Sequence, residues 1–159
     1  MNRTTAFAND FCRRIKEIGL KNYEWECSGK PLGRGHESID ILGTREGRRS
    51  IFIEVELRKD APLTNVVKVW RWVVNDGFKQ EFVFVQAFSK YYKKGDTKRF
   101  NSEFVGEQME KATGNPYLSL SFDYNPYRHG LQGAGRRRHH AFRLAEKIRR
   151  KLKSANVLN

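Results

Sequence analysis

Residues 51–57, IFIEVEL, limit the possible folds of this chain more than any other segment. A strand turns alternate side chains to opposite faces of its sheet. One face of this segment is Ile51, Ile53, Val55 and Leu57, wholly aliphatic, and it demands a core. The other carries Phe52, Glu54 and Glu56 and continues to Arg58. Acids in mid-strand are costly beside a core unless they meet a cation or a hydrogen-bond donor. The preceding run ESIDILG reads as the partner strand of a hairpin turned by TREGRR, and it sets Asp40 among Ile39, Ile41 and Leu42. Asp40, Glu54 and Glu56 could therefore converge, and clustered carboxylates suit a hard metal ion with oxygen ligands. The plainer alternative is a half-buried strand whose acids and Arg58 face water.

Charge weighs against that alternative. The chain has 159 residues and a formal charge of +13, from 31 Lys and Arg against 18 Asp and Glu. Residues 81–159 alone carry 16 basic and 7 acidic groups. A basic domain of this kind is the electrostatic footprint of a polyanion binder, with nucleic acid the expected partner. Acids grouped at one locus of such a chain are hard to read as surface decoration. No apolar run approaches the roughly 20 residues needed to cross a bilayer. The segment MNRTTAFANDF lacks the apolar stretch of a secretory signal, so a cytoplasmic protein without a membrane partner is expected. Cys12 and Cys27 show no metal spacing and read as reduced, structural residues.

Periodicity predicts a helix over 5–20 with Phe7, Phe11, Ile15 and Ile18 inward, and a strand over 22–27 with Tyr23 and Trp25 on one face. SGKPLGRG reads as a loop. Strands follow over 37–43 and 50–58. A helix opened by Pro62 carries an apolar stripe of Leu63, Val66, Val67, Trp70, Val73 and Val74. EFVFVQAF, 81–88, is apolar enough to be a central strand. A helix over 98–112 is expected to turn Phe100, Phe104, Val105 and Met109 inward. A strand covers 117–124, and 125–135 reads as a glycine-rich loop. The last helix, about 136–157, has Ala141, Leu144, Ala145, Ile148 and Leu152 on its apolar stripe. The expected architecture is one α/β domain over 1–159, with a core at about 5–88 and a basic extension at about 125–159.

The order helix, three-strand meander, helix, strand, with acids on the second and third strands, resembles the PD-(D/E)XK nuclease superfamily, whose fold is restriction-endonuclease-like. The resemblance covers roughly residues 5–88. Asp40 falls on the family's first acid and Glu54 on its second. Glu56 falls on the family's lysine position, a departure known in some restriction enzymes of the superfamily. Other members draw that lysine from the following helix, where Lys68 stands. Arg58 is a second candidate cation. A shifted register, with Glu56 as second acid and Arg58 as cation, would also keep an acid-x-base pair. Some members add an acid from the first helix, for which Asp10 and Glu17 are available.

The resemblance implies a metal-dependent DNA endonuclease of restriction, repair or junction-resolving type, acting on double-stranded or branched DNA with Mg²⁺, for which Mn²⁺ can substitute. Asp40 and Glu54 would hold the ion. Glu56 would orient the attacking water or join a second metal site, and Lys68 or Arg58 would supply positive charge at the scissile phosphate. A homodimer is one arrangement that cuts both strands. Phosphate contacts are expected from the basic loop Lys90, Tyr91, Lys93, Lys94 and Lys98, and from Arg136, Arg137 and Arg138 at the start of the last helix. Gln86 could face the site or be a buried, hydrogen-bonded amide. His36 with Glu37, and His139 with His140, lack a third ligand at metal spacing. Two alternatives remain: a non-catalytic nucleic-acid-binding protein on the same fold, and a basic RNA-binding domain whose acids are structural.

Overall fold

In the computed structural model, residues 3–20, 22–31, 38–57, 61–77, 79–93, 95–125 and 133–158 are described. The elements run α1 (Arg3–Ile18), β1 (Glu24–Pro31), β2 (Ser38–Thr44), β3 (Ser50–Glu56), α2 (Leu63–Asn75), β4 (Phe82–Ser89), α3 (Thr97–Thr113), β5 (Tyr117–Phe122) and α4 (Gly133–Ser154). The five strands form one mixed α/β sheet in the order β1-β2-β3-β4-β5. β1, β2 and β3 make an antiparallel meander, while β3–β4 and β4–β5 are parallel. The parallel pairs are joined by α2 and α3, as such crossovers require. No helix among the described residues is long and apolar enough to cross a membrane.

The alternation in β3 produces two cores. Ile51, Ile53, Val55 and Leu57 pack with Phe7, Phe11 and Ile15 of α1 and with the α4 stripe Ala141, Leu144, Ala145, Ile148 and Leu152. Phe52 turns the other way, joining Val66, Val69 and Trp72 of α2 and Met109 of α3. Both faces of the sheet are thus covered by helices, and every residue of β3 and β4 is buried. β4 lies inside the sheet, as its apolar sequence requires.

Several sequence expectations are corrected. α2 buries Asn65, Val66, Lys68, Val69 and Trp72, whereas Val67 and Val74 are exposed. Its buried face is rotated from the aliphatic stripe, because the sheet beneath offers polar partners to Asn65 and Lys68. α3 likewise leaves Phe100 and Phe104 exposed and turns Ser102, Gly106 and Met109 inward. Gly106 allows this approach: a Cβ there would sit 2.5 Å from the Tyr117 ring. β1 continues through Pro31 instead of ending at Cys27, and α4 begins at Gly133, ahead of its arginines.

The cysteines are also corrected. Cys12 on α1 and Cys27 on β1 are joined in a disulfide, not reduced. The fold brings their Cα atoms to 6.0 Å, within the range such a bond spans. Fifteen residues of separation carried no sign of this, because the distance exists only once α1 lies on the sheet. Strand starts at Glu37, the pair His36–Glu37, and residues 126–132 of the glycine-rich stretch lie outside the described residues.

Candidate functional site

β3 presents Glu54 and Glu56 to the α2 side of the sheet, with Glu54 opposite Gln86 of β4. Both acids are buried, at 1% and 0% exposure, so they are not the solvated face of an edge strand. Asn65 and Lys68 descend on them from α2, three residues apart and so on one side of that helix.

The Lys68 ammonium donates to Glu54 Oε1 at 2.7 Å, to the Ser38 carbonyl at 2.6 Å and to Asn65 Oδ1 at 3.1 Å. Three donors meet three acceptors, so the ammonium is saturated. With Oδ1 taken by the lysine, the Asn65 amide nitrogen donates to Glu56 Oε1 at 2.7 Å. Gln86 Nε2 donates to the same oxygen at 2.8 Å and to the Pro62 carbonyl at 2.9 Å. The Gln86 carbonyl oxygen in turn accepts from Ser102 Oγ and from the Tyr117 hydroxyl, each at 2.8 Å. A continuous polar chain therefore runs from β2 through α2, β3 and β4 to α3 and β5. Both amides have a determined orientation, because the ammonium can only donate to Asn65 Oδ1, while the Glu56 carboxylate and the Pro62 carbonyl can only accept from the amide nitrogens.

Tyr117 keeps its proton firmly. Burial raises its pKa well above the ordinary value, and the Glu103 and Glu56 carboxylates push it the same way. A group whose folded pKa is raised stabilises the fold below its unfolded pKa and loses that contribution as pH climbs. Urea unfolding of the wild type is thus expected to show stability falling above about pH 10, the ordinary tyrosine value. Tyr117→Phe should flatten that fall, leaving the smaller share of Tyr23, whose pKa burial also raises. Equal alkaline slopes in both proteins would show that Tyr117 is not buried against these acids.

Asp40 is placed differently from the two glutamates. The paired register of β2 with β3 covers Ile41↔Ile53 to Gly43↔Ile51. Just beyond it, Asp40 Oδ2 accepts from the Val55 backbone N–H at 2.9 Å. The carboxylate is only half-buried and marks where the two strands part. Asp40 and Glu54 are thus neighbours on adjacent strands, one bonded to backbone and one to lysine. Among the described residues, no three His, Cys, Asp or Glu side chains gather where they could hold a metal ion. The donor chemistry of two carboxylates still suits Mg²⁺, which takes one or two from a protein and keeps several waters. Arg58 lies outside the described residues.

No protein-family model matches this chain, and no curated protein does.

The sequence candidates for phosphate contact separate in space. Tyr91 is at the surface, while Tyr92 is buried edge-on against Phe88. Lys90 pairs with Asp123 at 3.3 Å, and Lys93 and Lys98 are exposed. Lys94 lies outside the described residues. Arg137 and Arg138 reach Asp10 of α1, at 2.6 and 3.9 Å, and Arg136 is exposed on the first turn of α4. Asp10 therefore ties α1 to α4, and Glu17 pairs with Arg14 at 2.6 Å on the same helix. The sequence reading missed Asn65, Ser102 and Tyr117. Only Asn65 had a signal, its i, i+3 spacing from Lys68 on one helix face. Ser102 and Tyr117 are brought in by the packing of α3 and β5.

Proposed function

We propose that this chain is a metal-dependent phosphodiester hydrolase acting on DNA, built on a restriction-endonuclease-like core. One observation carries the reading: α2 delivers the Lys68 ammonium to within 2.7 Å of Glu54, the buried acid of the third strand. In the PD-(D/E)XK pattern the strand itself supplies a lysine two residues after the second acid; here Glu56 stands at that position, and α2 brings a lysine to Glu54 instead. The meander, the parallel β4 and the helices on both faces agree with that core. The net charge of +13 agrees with a polyanionic substrate.

Asp40 and Glu54 are the residues that would hold Mg²⁺. The ion supplies a nucleophilic water at neutral pH and charge neutralisation at the phosphate. Lys68 places a fixed positive charge beside Glu54 for the anionic transition state, before substrate arrives and with no reorganisation at the moment of reaction. Glu56, tied to Asn65 and Gln86, holds Asn65 against Lys68 and so sets the position of the ammonium.

The test is cleavage of supercoiled plasmid and of a branched oligonucleotide in Mg²⁺, Mn²⁺ or EDTA. Wild-type cutting is expected to need the metal. Asp40→Asn and Glu54→Gln should each lower it by about a hundredfold or more, the scale of removing one group aimed at the transition state. The second reading, a non-catalytic nucleic-acid binder on the same fold, draws on the engagement of all three acids with groups of the chain itself. DNA bound but uncut in every metal, with no effect of either substitution, selects it.

A further inference from the structure

On the other side of the sheet from the acids, α4 and the end of β5 enclose an open groove of about 770 Å³. Arg143, Lys147, Arg150 and Lys151 line it from α4, and all four are exposed. Arg143, Lys147 and Lys151 follow one another at intervals of four residues, about 6 Å apart along the helix axis. Lys147 also donates to the Ser121 carbonyl at 2.5 Å, which holds its stem along the strand end.

Negative charge is nearly absent from this surface. Among the described residues Asp123 is the one acid lining the groove, and it already pairs with Lys90. Glu146, the sole acid in the α4 sequence, bonds Arg149 at 2.9 Å and does not line the groove. Like charges four residues apart on a helix repel and oppose helix formation. Here that repulsion is set in a row, and among the described residues none of these four cations forms an ion pair. A polyanion running along α4 would neutralise it.

We infer that this groove binds the sugar-phosphate backbone of a DNA duplex, as a site separate from the acids of β3. The choice of DNA as the polyanion rests on the proposed function; the groove itself does not. The lining from His139 to Ser154 extends about 22 Å along the helix, the length of about six base pairs. A row of that length suits successive phosphates better than a lone anion. Arg136–Arg138 are the arginines that the sequence marks at this helix, yet two of them are held by Asp10. The groove cations begin five residues beyond Arg138 and are exposed together along α4.

The experiment measures duplex binding by fluorescence anisotropy in EDTA across KCl concentrations. It compares wild type with the quadruple variant Arg143→Gln, Lys147→Gln, Arg150→Gln, Lys151→Gln, and with the pair Arg143→Gln, Lys147→Gln. Losing four phosphate contacts should flatten the slope of log K against log salt by about 3.6, and the pair by about half that. Affinity near 0.15 M salt should fall about a hundredfold or more in the quadruple variant. An unchanged salt slope in both groove variants, with circular dichroism showing them folded, overturns the inference even if the wild type cuts DNA. Flattened slopes in the groove variants, beside a wild type that never cuts, uphold the groove and sink the cleavage reading alone. Loss of binding to anionic phospholipid vesicles, with duplex binding intact, would assign the groove to a membrane surface and overturn it too.

Discussion

Lys68→Met is expected to destabilise the protein by about 3–5 kcal/mol, the cost of removing one partner from a buried ion pair. The methionine fills most of the lysine's volume, so the loss measures charge and hydrogen bonding more than packing. At 159 residues this corresponds to a fall in Tm of about 6–20 °C. The reason is specific: Glu54 is 1% exposed and Lys68 8%, so water cannot replace the ammonium. Ser38 and Asn65 lose a donor at the same time. Glu54→Gln with Lys68→Met should recover much of the loss, because a neutral amide tolerates burial that a carboxylate does not. A double-mutant cycle in urea reads the coupling directly. If Lys68→Met costs less than about 1 kcal/mol, the pair behaves as an exposed salt bridge and the buried site described above is wrong.

Gln86→Leu should cost about 4 kcal/mol or more, although leucine is apolar and enters an otherwise apolar strand. Gln86 is wholly buried, and its amide serves Glu56, Pro62, Ser102 and Tyr117 together. Each buried polar group deprived of a partner costs about 1–3 kcal/mol, and the four losses share one cavity, so they need not add. Adding Ser102→Ala and Tyr117→Phe to Gln86→Leu should restore part of the stability, since apolar groups then face one another. Gln86→Glu tests the orientation. It keeps the acceptors for both hydroxyls but turns a carboxylate on Glu56. Its destabilisation should be severe at pH 8 and smaller at pH 5, where one of the two acids can take a proton. Equal stability of wild type and Gln86→Leu would dissolve the network.

If α4 carries the duplex while Asp40, Glu54 and Lys68 act on the opposite face, substitutions in the groove should change salt dependence. Substitutions at the acids should change turnover. The polar chain from Ser38 to Tyr117 supplies rigidity at the second of these places, because every amide in it is oriented by a neighbour whose own role is determined.

Much of this was legible in the amino-acid sequence. The period of two in IFIEVEL determined that β3 has an aliphatic face and an acid-bearing face, because side-chain direction in a strand follows from backbone geometry alone. The same holds for the stripes of α1 and α4, whose apolar residues recur at helical spacing and are all inward. Lys68 was nameable only through the resemblance, as a lysine of the helix that follows the acid-bearing strand. Tertiary structure alone decided the rest. The apolar stripe of α2 pointed away from Asn65 and Lys68, yet these are buried, since the strand acids and amides beneath them offset the cost of desolvation. Phe100 and Phe104 stayed outside because Gly106 and Ser102 let α3 approach Tyr117 and Gln86 on its small-residue side. Cys12 and Cys27 became a disulfide only when α1 met β1. Local periodicity records which way a side chain turns; whether a polar group can be buried depends on the partner that a distant segment brings to it.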